Sequence, residues 1–366
     1  MTSGKHLVIA AAGTGGHVMP GLAVAAAMRA RGWTVSWLGT ETGMERRLVE
    51  RRGIEMDAVD FSGVRGRGLA EAARGAVKLL RAFPASRDIL RRRGANAFFS
   101  TGGYIAVPSA IAAHRMGIPA VVMNCDAASL LSVRMVLPFI DVLACGFDGE
   151  AARRAGARAV VTGNPVRSEI AALPPPEERL AGRGRRLRLL VFGGSLGARF
   201  LNRLLPAALA LLPPEARPEV IHQCGAGAEE EVRGLYAKAG LKASIRPFID
   251  DMAAAYAWSD LVICRAGATS VSEICSAGVA AMLVPLVVKT TSHQLQNAEY
   301  MEKNGAGICL RQNALTPQAL AQRLRGADRQ ELLRMACAAR RLSHSDAADR
   351  VADIIEARTD LTFKVL

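Results

Sequence analysis

Three segments join glycine to a hydroxyl, imidazole or carboxylate side chain directly after a short apolar run. They are Gly13-Thr14-Gly15-Gly16-His17, Gly193-Gly194-Ser195-Leu196-Gly197, and Arg265-Ala266-Gly267-Ala268-Thr269-Ser270-Val271-Ser272-Glu273. Such loops let a ligand approach the backbone closely, and the free N–H groups of a following helix attract phosphate. His17 ends the first segment, and imidazole is the one side chain that titrates near neutrality, so it is a candidate general base. The loop is not a dinucleotide fingerprint, because Val18 stands where G-x-G-x-x-G requires glycine, and it lacks the Gly-Lys-Ser/Thr of a phosphate-binding P-loop. A plain structural turn is the bland alternative.

The second segment supports two chemistries. Gly193-x-Ser195-x-Gly197 matches the nucleophile elbow of α/β-hydrolases, with Asp250, Asp251 or Asp260 and His293 as downstream partners. That reading leaves the first loop without a role and supplies no oxyanion segment ahead of the serine. The other reading has Ser195 and neighbouring N–H groups bind a phosphate at a positive helix end, and it accounts for more of the chain. In the third segment a helix starting near Ser270 places Glu273 in its first turn. There it could accept the hydroxyls of a ribose, or simply complete a Ser-x-x-Glu capping box with Ser270.

These segments need elements to hold them. Apolar runs read as strands at His6 to Ala11, Thr34 to Leu38, Ala97 to Ser100, Ala120 to Met123, Val142 to Cys145 and Ala159 to Thr162. Helical patterns run from Gly21 to Ala30 and from Glu45 to Arg52. After Pro174-Pro175-Pro176 and a basic stretch the pattern restarts. Strands follow at Leu187 to Phe192, Glu219 to Gln223, Ser244 to Pro247, Leu261 to Cys264 and Ala281 to Val284, with a helix at Arg199 to Leu212. Alternation of this kind implies an α/β chain of two Rossmann-like domains with parallel sheets, facing across a cleft. The expected division is 1–163 and 164–340, with the hinge somewhere between Thr162 and Arg186. A last helix over 341–366 would pack back on the first domain.

The chain's 366 residues exceed what one core serves, and 50% are apolar, which excludes disorder. Lys and Arg number 47 against 33 Asp and Glu, a net charge of +14 that suits an anionic partner, although an Arg-rich coding bias would produce the same excess. Aromatic residues are 5% and no recognition motif occurs, which argues against nucleic acid. The seven cysteines form no C-x-x-C and no metal-ligand spacing, so they read as reduced, buried thiols. The apolar stretch Ile274 to Val288 is too short to cross a bilayer, and the first residues do not form a signal peptide, which together imply a soluble cytoplasmic chain. Gly75 to Pro84 carries apolar residues at 76, 79, 80 and 83, flanked by Arg74, Arg87, Arg91, Arg92 and Arg93. It is either an interfacial patch for anionic lipid or a core-facing amphipathic helix.

Taken together the motifs resemble the MurG family of GT-B glycosyltransferases in bacterial peptidoglycan synthesis. The resemblance runs in register from Gly13 to about Asn304. It includes Pro20-Gly21-Leu22-Ala23, Gly102-Gly103-Tyr104 with Pro108, Gly163-Asn164-Pro165-Val166-Arg167, Phe248-Ile249-Asp250-Asp251-Met252, and His293-Gln294 with Asn297-Ala298. It implies an inverting transfer of N-acetylglucosamine from UDP-N-acetylglucosamine to a polyprenyl-linked muramyl-pentapeptide, at the cytoplasmic face of the inner membrane and in peripheral contact with its anionic leaflet. Under it Thr14, Gly15 and Gly16 would line the site, with His17 as base. Arg167 and Ser195 would approach the diphosphate, and Ile249 would hold uracil. Ala268, Thr269, Ser270, Val271, Ser272 and Glu273 would take ribose and phosphate, while Gln294 would face the sugar. No metal or other cofactor is expected, and no Asp-x-Asp pair occurs in the chain. One departure stands out: Met123-Asn124-Cys125-Asp126 replaces the family's usual His-Glu-Gln-Asn, which puts Asp126 at the sugar-contacting position. An altered acceptor, or a lipid-associated relative with weakened catalysis, is the alternative within this resemblance.

Overall fold

The structure, a computed structural model, describes residues 4–12, 15–41, 45–59, 69–103, 105–194, 197–287 and 293–365. In the helix that begins at Leu69, side chains are described from Arg81 onward. The chain divides into two compact units, Met1–Pro165 with Asp346–Leu366, and Val166–Ser345.

The first unit is built on β1 (His6–Ala10), β2 (Thr34–Gly39), β3 (Glu55–Ala58), β4 (Ala97–Ser100), β5 (Ala120–Asn124), β6 (Val142–Cys145) and β7 (Ala159–Val161). Their spatial order is β3-β2-β1-β4-β5-β6-β7, and every neighbouring pair is parallel. Central β1 reads Leu7-Val8-Ile9-Ala10 without alternation because helices cover both faces of the sheet, and all four residues are fully buried. The helix Gly15–Ala30 rests on β2 through Trp37, whose indole donates to Ala11 O at 2.9 Å. A Cβ at Gly21 would lie 2.6 Å from that ring, so glycine sets the depth of this packing.

Edge strand β3 escaped the sequence reading because Glu55-Met56-Asp57-Ala58 has no apolar run. It is held instead by ion pairs of Asp57 with Arg92 and Arg93. Burial alone would push the Asp57 carboxyl up, but the two guanidiniums outweigh it and keep it below its ordinary value. Along the helix Leu69–Arg92, Ala82, Ile89 and Leu90 are buried, so its second half faces the core. The apolar positions 76, 79 and 80 lie outside the described side chains.

The final helix runs Ala347–Val365, beginning later than 341 because the preceding helix Arg329–Arg341 occupies that stretch. Ala347, Val351, Ala352, Ile355 and Thr359 form one buried stripe along it. Arg31 meets Asp349, Asp353 and Glu356, but the two aspartates are 68% exposed, so each such pair contributes at most about 1 kcal/mol. The apolar stripe stabilises the helix more, at about 1.5–3 kcal/mol for each fully buried Val or Ile.

The second unit repeats the plan with β8 (Arg188–Phe192), β9 (Glu219–Gln223), β10 (Ser244–Arg246), β11 (Leu261–Cys264), β12 (Ala280–Leu283) and β13 (Ile308–Cys309), ordered β10-β9-β8-β11-β12-β13 and wholly parallel. All seven cysteines are free; five are buried, whereas Cys309 and Cys337 are half-exposed, against the expectation of uniform burial.

One polar chain is enclosed in the second core. His222 on β9 is fully buried, with Nε2 3.1 Å from Asn202 Oδ1 and Nδ1 3.0 Å from Tyr236 Oη. Asn202 donates its amide to Cys224 O, so its oxygen accepts from His222 Nε2–H, and the tyrosine hydroxyl donates to Nδ1. The imidazole is therefore held neutral, and burial pushes its pKa down to about 4. Below its unfolded value of about 6.5 the unfolded chain takes up a proton that the native chain refuses, so stability falls as pH drops toward 4. Urea unfolding should show the loss from this residue reaching at most about 3 kcal/mol. His222→Gln should be less stable at pH 7.5 yet lose less on acidification than the parent; an identical pH slope would contradict this account.

Candidate active site

In each sheet the strand order reverses once, between β1 and β4 and between β8 and β11. Loops at the carboxyl ends of such strand pairs diverge and leave room for a ligand. The chemistry-bearing segments emerge at these two places.

In the first unit the helix starts at Gly15, not Gly21, so Gly15, Gly16 and His17 occupy its first turn. Glycine is tolerated there because the first N–H groups have no helical acceptor in any case. Half-buried His17 lies with Nδ1 2.9 Å from Thr101 O, and Thr101 Oγ1 donates back to His17 O at 2.8 Å. A carbonyl can only accept, so Nδ1 carries the proton and the lone pair is on Nε2. Thr101 directly follows β4, and the turn beyond it needs the positive φ of Gly102 (94°) and Gly103 (81°). Thr14 lies outside the described residues. Thr101 was not singled out from sequence; its neighbours Gly102-Gly103 were the available signal.

Asp126 sits in the loop after β5, with 7% of its surface exposed. Asn124 donates to Asp126 O and Ala128 O, Asn164 donates to Cys125 O at 2.8 Å, and Glu150 N donates to Ala127 O at 2.9 Å. Gly149 permits the contact, since a Cβ there would fall 2.5 Å from Ala127 O. Asn124 stands where the resemblance leads one to expect glutamate. Its amide supplies N–H donors to two carbonyls, which a carboxylate cannot do.

In the second unit Gly197 N donates to Gly194 O at 2.9 Å. The next helix begins only at Arg199. In a nucleophile elbow a helix follows the serine directly, whereas residues 197 and 198 here lie outside any helix. Ser195 lies outside the described residues. Two of the nominated elbow partners are committed elsewhere. Asp251 caps the helix Met252–Trp258 by accepting from Ala254 N, and Asp260, 2% exposed, is paired with Arg183 and Arg329.

The helix after β11 runs Ala268–Ala277 with Gly267 at its N-cap and no side chain capping it. Ala268, Thr269 and Ser270 are therefore its first three residues, Glu273 lies in the second turn, and the Ser270 capping box does not form. Their N–H groups lie at the positive end of the helix dipole, ready for an anion. At the opposite end Arg179 donates to Ala277 O at 3.1 Å and to Gly278 O, and also to Tyr256 O and Ser259 O of the neighbouring helix. Burial, then Arg183 and Arg340, lower its pKa to about 10, so it remains a cation at neutrality.

Glu273, 7% exposed, accepts at Oε1 from Arg167 Nε (3.1 Å) and Nη2 (2.8 Å), and at Oε2 from Tyr256 Oη (3.2 Å). Burial pushes its carboxyl up, against the pull of Arg167 and Tyr256. Two residues assigned to different parts of a nucleotide thus touch each other. Val271 and Ser272 are buried just before Glu273 in the same helix. Ile249, 4% exposed, lies between β10 and the helix Met252–Trp258. Gln294 accepts from Leu286 N at 2.9 Å, which leaves its amide N–H groups to donate.

The fold is that of a glycosyltransferase, and the chain belongs to glycosyltransferase family 28. The family's N-terminal domain matches residues 7–139 and its C-terminal domain residues 188–351. It is 56% identical, over 96% of its length and 97% of the relative's, to the UDP-N-acetylglucosamine--N-acetylmuramyl-(pentapeptide) pyrophosphoryl-undecaprenol N-acetylglucosamine transferase of Methylibium petroleiphilum. It is 49% identical to the protein of the same name from a Janthinobacterium species, over 98% of this chain and all of that one. The crystal structure of Acinetobacter baumannii MurG superimposes with a TM-score of 0.83 at 36% identity, covering 96% of this chain and 99% of that one. Nothing in these likenesses favours a serine hydrolase.

The two glycines with positive φ on either side of Ser195 differ sterically. At Gly197 (φ 72°) a Cβ would fall 2.0 Å from Cys224 O, whereas Gly194 (φ 87°) has open space around it. Gly194→Ala should cost only left-handed strain, about 1–2 kcal/mol in urea unfolding, and Gly197→Ala at least about 2 kcal/mol more. Equal costs would contradict the clash.

Proposed function

We propose that this chain is an inverting N-acetylglucosaminyltransferase that moves the sugar from UDP-N-acetylglucosamine to a polyprenyl-pyrophosphoryl-muramyl-pentapeptide. The observation that carries this reading is the end-to-end likeness to proteins named for that reaction. The site geometry supplies the means. Going from an α-linked nucleotide sugar to a β-glycoside in one displacement requires a base for the acceptor hydroxyl and positive charge for the departing diphosphate.

His17 is the base in this reading. Its Nδ1–H is anchored on Thr101 O, which fixes the tautomer and leaves Nε2 to take the hydroxyl proton. Thr14, Gly15 and Gly16 line the site where donor and acceptor meet, and Asp126 contacts the sugar. Arg167, Ser195 and the N–H groups of Ala268 to Ser270 receive the diphosphate, Glu273 accepts from the ribose hydroxyls, Ile249 holds uracil through its backbone, and Gln294 donates to the donor sugar. The helix dipole and Arg167 supply the positive charge within the protein itself. Among the described residues no helix is long and apolar enough to cross a membrane. The net charge of +14 supports peripheral attachment to the anionic cytoplasmic leaflet, where a polyprenyl acceptor resides.

Transfer of labelled N-acetylglucosamine to a polyprenyl-linked muramyl-pentapeptide tests the reading directly. His17→Ala should lower kcat by about 10²–10⁴-fold while UDP affinity in titration calorimetry stays nearly unchanged. Glu273→Ala should raise both the donor KM and the UDP dissociation constant, because a ribose contact exists in ground and transition states alike. Parallel loss of turnover and UDP binding in His17→Ala would sink the base assignment.

A further inference from the structure

Tyr256 belongs to no part of the chemistry assigned above, yet it is the largest polar side chain enclosed beside Glu273. Its ring is fully buried and meets Phe192, the last residue of β8, edge-on at 6.2 Å between centroids. Its hydroxyl donates to Glu273 Oε2 at 3.2 Å, while Arg167 occupies Oε1 alone. With one donor set on each oxygen, the carboxylate plane is fixed. The two donors differ in what a nucleotide would do to them. Arg167 is a half-exposed cation that an incoming diphosphate attracts, so its hold on Glu273 weakens as the ligand binds. The hydroxyl of Tyr256 is neutral and enclosed, so a diphosphate gives it no reason to turn away.

We propose that Tyr256 is a positioning residue for the donor site, holding the Glu273 carboxylate in the orientation that accepts the ribose hydroxyls while Arg167 engages the diphosphate. The proposal rests on the reading of Glu273 as ribose acceptor. Its helix starts three residues beyond Ile249, so one short element links the uracil loop to the ribose acceptor. Apart from the hydroxyl, Tyr256 packs as a core aromatic beside buried Ala255 in the helix Met252–Trp258.

Tyr256→Phe removes the hydroxyl and keeps the ring contact with Phe192. Titration calorimetry with UDP and with 2′,3′-dideoxyuridine diphosphate separates positioning from general damage. In the parent, UDP should bind more tightly than the dideoxy compound. Tyr256→Phe should weaken UDP by about five- to tenfold, the effect of one lost hydrogen bond, and leave the dideoxy compound within about twofold. In a Glu273→Gln background the same change should add nothing. Equal weakening of both ligands, or no weakening of either while Glu273→Gln still abolishes the preference for UDP, would overturn the role of Tyr256. If Glu273→Gln itself leaves that preference intact, the ribose reading fails and the proposal falls with it.

Discussion

A parallel strand buried on both faces must hand over its last backbone groups at the carboxyl edge of the sheet, and where strand order reverses two such edges diverge. That constraint governs both units. In the first, Ser100 Oγ donates to Ala10 O and takes Gly102 N, while His17 and Thr101 exchange hydrogen bonds between the segments after β1 and β4. In the second, the glycine loop after β8 and the uncapped helix after β11 occupy the equivalent positions. The same need to satisfy chain ends therefore yields a tautomerically defined imidazole in one unit and an anion-ready helix terminus in the other.

Charge in the second unit is arranged around that terminus. Arg179 closes the carbonyl ends of two helices, and Arg183 and Arg329 neutralise Asp260. Arg167 and Glu273 are the exception, because under the proposed function each is also a group that the nucleoside diphosphate engages. The pair meets at the second turn of the helix Ala268–Ala277, where Tyr256 also donates to the Glu273 carboxylate.

The Met123 to Asp126 departure reads differently once the loop is seen. Asn124 and Asn164 both direct amide N–H groups at loop carbonyls, so the segment around Asp126 is held from below by donors. Replacing a carboxylate by an amide at 124 suits that duty, since a carboxylate would set acceptor against acceptor.

Composition and apolar periodicity alone determined the two-unit α/β plan, most interior strands and the three glycine-bearing segments, because a strand buried on both faces must be continuously apolar and a tight strand-to-helix turn must use small residues. The polar edge strand β3 and short β13 carried no such signature. Only the tertiary structure decided that the first helix takes in Gly15 to His17, that Glu273 sits in a second turn against Arg167 rather than in a capping box, and that Thr101, Asn124 and Tyr256 matter at all. Each depends on a hydrogen-bond partner that the local pattern does not reveal. Separations of 84 positions from His17 to Thr101 and 106 from Arg167 to Glu273 are spanned by the order of the strands, which residue spacing does not encode.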